Sequence, residues 1–124
     1  MTSSELAALL LSGTRLVADL VSGSRPFVEF HREYGDFYHE NCLDGFDADD
    51  DDRLLLRRFP EAVELHRLVQ QICYRTYFKG PGVDEAVYRS AGRVSEEEAI
   101  QLLRTEARRL DVSSMVTELE KAAG

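Results

Sequence analysis

Most of the residue patterns that announce a chemistry are missing here. Cysteine occurs only twice, as Cys42 and Cys73, in neither a C-x-x-C pair nor a metal-spaced set. That leaves no basis for a disulfide-stapled scaffold or a thiolate metal site. Two buried free thiols in a reducing compartment are expected, with a single bridge between them as the alternative. Proline and glycine total 11, too few for a disordered or collagen-like chain. The opening Met1-Thr-Ser-Ser-Glu-Leu6 has no basic run, and the apolar stretch Leu6 to Leu11 is short and followed by Arg15 and Asp19. Neither a secretory signal nor a membrane span is expected, and the expected location is the cytoplasm.

Catalytic signatures are equally scarce. There is no Gly-x-Ser-x-Gly elbow, and Gly80-Pro-Gly82 lacks the Lys-Ser or Lys-Thr that would make it a phosphate loop. Arginine and lysine do not gather into a basic patch, so direct nucleic-acid binding is not expected. No enzymatic activity and no cofactor are expected.

What is present is enough for one helical domain. A chain of 124 residues, 44% of them apolar, buries roughly two-thirds of its unfolded surface and holds a core unaided. Apolar residues recur at helical spacing, and sustained alternation of the β kind is absent. Thr2-x-x-Glu5 opens a first helix as a capping-box pattern, Gly13-Thr14 offers a place to split it, and Gly23 ends it. A second helix is expected from near Ser24, with Pro26 in its first turn, to about Asn41. Residues 43–53 read as an acidic loop. Leu54, Leu55, Leu56 and Phe59 read as a leading turn before a third helix that starts at Pro60 and fades after Tyr77. Lys79-Gly-Pro-Gly82 breaks the chain, and Val83 to Ala91 holds a short turn or a loop. Ser95-Glu-Glu-Glu98 is a second capping box and opens the last strong helix, through Leu110. The tail, 112–124, is a short helix or a frayed end. The expected fold is all-α, a compact bundle of four to five helices forming a single domain over 1–124.

The net charge is −8, and it is concentrated. Ten acids lie between Glu29 and Asp52: Glu29, Glu33, Asp36, Glu40, Asp44, Asp47, Asp49, Asp50, Asp51 and Asp52. Arg32 is the one base among them, so the segment carries −9, and the remaining 13 acids and 14 bases carry +1. On a helical wheel Phe27, Phe30, Tyr34, Phe37 and Tyr38 share a face, and Glu29, Glu33, Asp36 and Glu40 share the opposite one. Their like charges at i,i+3 and i,i+4 each oppose helix formation by roughly 0.2–0.5 kcal/mol. A merely solvated face mixes signs, so this one points to a basic partner.

Two metal readings compete with that. His31, Asp36, His39 and Glu40 lie close in sequence, with Asp36-x-x-His39 on one helical face. A di-metal bundle site needs Glu-x-x-His on two helices, and His66 has no glutamate three residues before it. Surface histidines are the expectation, with a di-metal enzyme the third-ranked reading. A calcium loop begun at Asp47 places Asp49 and Asp51 correctly, but puts Asp52 at the glycine position and Arg58 at that of the bidentate glutamate.

The order of elements carries a resemblance: a leading helix ending in Asp19-Leu-Val-Ser-Gly23, then an aromatic helix with Phe27, Phe30 and Tyr34. A variable loop follows, and an apolar helix around Leu65 to Tyr77. Val83-Asp-Glu-Ala-Val87 then precedes Val94-Ser-Glu-Glu-Glu98 and the closing helix, Ala99 to Leu110. Over roughly residues 14 to 110 this resembles the colicin D immunity protein family, small helical bundles that protect bacteria from tRNA-cleaving toxins. The resemblance implies an inhibitor that covers the active site of a basic nuclease domain. It carries over no interface residue, and the run Asp49 to Asp52 departs from its pattern. The ten acids named above are the expected partner-binding residues. A helical adaptor or regulatory subunit with an apolar groove is the alternative.

Overall fold

The computed structural model describes residues 1–41 and 50–124. Among the described residues there are seven helices and no strands: α1 (Ser3–Val21), α2 (Phe27–Asn41), α3 (Asp50–Leu56), α4 (Pro60–Arg75), α5 (Glu85–Ser90), α6 (Glu96–Arg109) and α7 (Val112–Ala123). The all-α expectation holds, but the count of four to five is too low. The leading turn before Pro60 is a helix of its own, α5 is formed, and the tail is helical. Part of the expected acidic loop is also helix, because α3 begins at Asp50; the rest of that loop, residues 43–49, lies outside the described residues.

Local chemistry sets the ends. The Thr2 hydroxyl oxygen accepts from the Glu5 N–H at 3.1 Å, capping α1. At its other end Gly23, at φ 84, turns the chain so that the Ser24 N–H returns to the Asp19 carbonyl at 2.9 Å. Pro60 opens α4, where its missing N–H costs nothing. Ser95 and Glu98 form the full reciprocal capping box of α6. Asp111 enters the left-handed region at φ 51 and caps α7 with its own carboxylate.

α1 is the central helix. Ala7, Leu10, Thr14 and Val17, at three- and four-residue spacing, are fully buried. It does not split at Gly13-Thr14, because Gly13 is a contact point: a Cβ there would lie 2.3 Å from the ring of Phe37. α7 runs antiparallel along α1. Its Val112, Met115 and Leu119 are buried, and the Ser4 hydroxyl reaches the Ala123 carbonyl at 2.8 Å. The tail is therefore docked through its last turn. α2 and α4 cover α1 elsewhere, and α6 packs on α4 and α1. A parallel bridge, Thr76 with Val94, ties the exit of α4 to the entry of α6.

Candidate binding face

The aromatic half of α2 is core: Phe27, Phe30, Tyr34 and Phe37 are buried. The opposite half follows from the same periodicity. Glu29, Asp36 and Glu40 are exposed, and among the described residues none of the three forms an ion pair. Several acids elsewhere are paired with bases. Arg15 pairs with Glu120 at 3.2 Å, Arg89 with Glu98 at 2.6 Å, and Arg109 with both Glu64 and Glu106 at 2.9 and 2.7 Å. Lys79 lies 3.8 Å from Glu85. Exposed pairs of this kind contribute little stability each, but they leave those acids less free to meet a partner.

Glu33 departs from the expectation. It is half-buried and held by Arg25, whose other nitrogen reaches Asp19 at 3.3 Å. Arg32 approaches it at 4.0 Å as well. Arg25 stands just outside the acidic segment, so a count along the sequence credits Glu33 with a charge that the fold offsets. Arg25 links the end of α1 to α2, and its buried Nε has no hydrogen-bond partner. The open acidic face is thus Glu29, Asp36 and Glu40. Asp50, Asp51 and Asp52 open α3, whereas Asp44, Asp47 and Asp49 lie outside the described residues, as does Cys42.

The histidines are not all at the surface. His39 is exposed, but His31 is half-buried, with Nε2 3.0 Å from the Cys73 carbonyl and its ring edge-on to Phe78. His66 is 1% exposed, inside the bundle. Its ring lies between Tyr34 of α2 and Thr14 of α1: Nδ1 is 2.7 Å from the Tyr34 hydroxyl, and Nε2 is 3.1 Å from the Thr14 hydroxyl. Burial lowers its pKa to about 4, partly opposed by the Leu10 carbonyl. Burial also pushes the free Cys73 thiol up to about 12, which keeps it protonated and a poor nucleophile. The sequence contains the signal for this buried cluster. His66 falls on the apolar stripe of α4 with Leu65, Val69, Ile72 and Cys73, and Thr14 falls on that of α1.

Among the described residues, two grooves can be traced. One, of about 610 Å³, runs between the end of α1 and the α6–α7 corner, with Arg104 and Arg108 facing Asp19 and Asp111. The other, of about 400 Å³, is more apolar and lies among Phe59, Pro60, Leu110, Met115 and Leu119. Among the described residues no group of three or more His, Cys, Asp or Glu side chains converges as a metal site. No described helix is long and apolar enough to cross a membrane. Comparison with protein-family models, curated proteins and solved structures gives no match.

Proposed function

We propose that this chain is a helical binding protein whose acidic face on α2, together with the aspartate run 49–52, receives a basic protein surface. The observation that carries the reading is the set Glu29, Asp36 and Glu40. They are exposed on one side of a helix whose other side is core, and they have no ion pair among the described residues. Their repulsion opposes α2, and a cationic partner relieves it.

In its particular form the proposal is an immunity protein of a bacterial cytoplasm. Its partner is then the nuclease domain of a toxin, basic because it grips RNA phosphates. Carboxylates on a rigid helix occupy that phosphate-binding groove in place of substrate, and the chain itself catalyses nothing. The resemblance in the order of helices supports this form and the charge distribution supports it independently. The adaptor alternative draws on the apolar groove at Phe59, Pro60, Leu110 and Met115.

The test is inhibition of a ribonuclease domain encoded beside this gene. Wild-type protein is expected to inhibit it stoichiometrically, and a Glu29→Gln, Asp36→Asn, Glu40→Gln variant to inhibit it far more weakly at physiological salt. Equal inhibition by both would reject the acidic face. Loss of inhibition on substituting Leu110 and Phe59 alone would favour the adaptor groove.

A further inference from the structure

The hydrogens around His66 can be assigned from geometry. The Thr14 hydroxyl donates to the Leu10 carbonyl at 2.8 Å, so its oxygen meets Nε2 of His66 as an acceptor. The Leu10 carbonyl, 3.3 Å from the same nitrogen, can only accept. Nε2 therefore carries the ring hydrogen, shared between two acceptors. Nδ1 is left bare, and the Tyr34 hydroxyl donates to it at 2.7 Å. That phenol has one alternative acceptor, the His66 main-chain carbonyl at 3.2 Å. Both ring nitrogens are satisfied in the neutral Nε2–H form with Tyr34 as donor.

We infer that His66, held in this form between Thr14 and Tyr34, is an acid-sensitive joint that fastens α2 and α1 to α4. A proton added at Nδ1 needs an acceptor. Tyr34 becomes one only by turning its own hydrogen to the His66 carbonyl, 3.2 Å away. The positive charge then lies inside the core against the rings of Phe37 and Tyr34, centred 5.4 and 5.8 Å away. Among the described residues no neighbour compensates it. α1 contributes Leu10, Gly13 and Thr14, none of which titrates, and α2 contributes Phe37 and Tyr34. Burial raises the pKa of Tyr34, and the other titratable groups of the cluster, Cys73 and Tyr38, raise it further. α6 meets α4 through the surface pair Arg109–Glu64. Among the described residues no carboxylate bonds to the ring.

The sign follows by linkage. An unfolded histidine protonates near pH 6.5, the folded His66 near 4. The stability that this joint contributes is complete above pH 6.5 and falls as the pH drops toward 4, because the unfolded chain binds the extra proton. The difference corresponds to roughly a 300-fold change in the folding constant, about tenfold per pH unit within the window. The device does not depend on what the acidic face binds.

The experiment compares wild type with His66→Gln, whose amide can still join Thr14 and Tyr34 but cannot titrate. Unfolding constants are measured between pH 7.5 and 5. His31 and His39 remain in both proteins, so the difference in slope isolates His66. Between pH 7.5 and 5 the folding constant of wild type is expected to fall roughly 30-fold further than that of the variant. Equal slopes would overturn the inference. If the variant does not fold, nitrogen-15 NMR of the wild-type ring decides. An Nε2–H tautomer that stays neutral to pH 5 upholds the joint; an Nδ1–H tautomer, or protonation near pH 6.5, refutes it.

Discussion

Gly13 of α1 lies beneath the ring of Phe37 of α2, with room for hydrogen only: a Cβ would come within 2.3 Å of two ring carbons and 3.0 Å of His66. This contact lets α1 pass unbroken through a residue that ordinarily weakens a helix. Gly13→Ala is therefore expected to destabilise the protein by about 1–3 kcal/mol in denaturant titrations, the usual effect of overpacking a core. The control is Gly35 of α2, where an added Cβ meets nothing within 4 Å. Gly35→Ala is expected to stabilise by about 0.5–1 kcal/mol. Opposite signs at two helical glycines would establish that space, and not backbone freedom, keeps Gly13.

The docking of α7 rests on Leu119, which is 2% exposed against α1. Leu119→Ala is expected to cost about 2–5 kcal/mol in global unfolding. A cost below about 0.5 kcal/mol, the range of an ordinary surface substitution, would mean that α7 detaches independently of the bundle.

Ser95 and Glu98 couple a cap to acid stability. The Glu98 carboxyl is held below its usual range, first by the Ser95 hydroxyl and backbone N–H and then by Arg89. A depressed carboxylate stabilises the fold above its unfolded pKa and loses that contribution as pH falls through the folded one. Ser95→Ala is expected to cost about 0.5–2 kcal/mol at neutral pH, and less once acid has protonated the Glu98 carboxyl. Its window lies below that of His66, so stability profiles of the two variants against pH separate them.

Arg25 masks Glu33 and steadies the junction of α1 and α2. Arg25→Gln unmasks both Glu33 and Asp19. It is expected to lower stability modestly, by about 1 kcal/mol or less for half-exposed pairs, and to speed association with a cationic partner at low salt. Neutralising Asp49 to Asp52 to Asn is expected to slow association and flatten its salt dependence, with a smaller effect on dissociation. Stopped-flow association rates against ionic strength measure both. If neither rate moves, the acidity is a solvated surface.

Periodicity and end chemistry are enough to read α1, α2, α4 and α6. The Ser95–Glu98 box, Pro60 at the start of α4 and the aromatic and acidic halves of α2 are local facts, set by the 3.6-residue repeat and by backbone groups that need a partner within one turn. The helical state of the tail was not local. Val112, Met115 and Leu119 suit a helix, but α1 supplies the buried surface that holds them there. Nor could a charge count along the chain find Arg25, whose ion pairs with Asp19 and Glu33 exist only because the turn at Gly23 folds α2 back beside α1. His66 illustrates the difference most clearly. Its place on the apolar stripe of α4 is written in the sequence, but whether a histidine there is buried and neutral depends on Thr14 and Tyr34, 52 and 32 residues away. Only the packing of three helices brings those two hydroxyls to its ring, and only the exclusion of water there makes a proton on it costly.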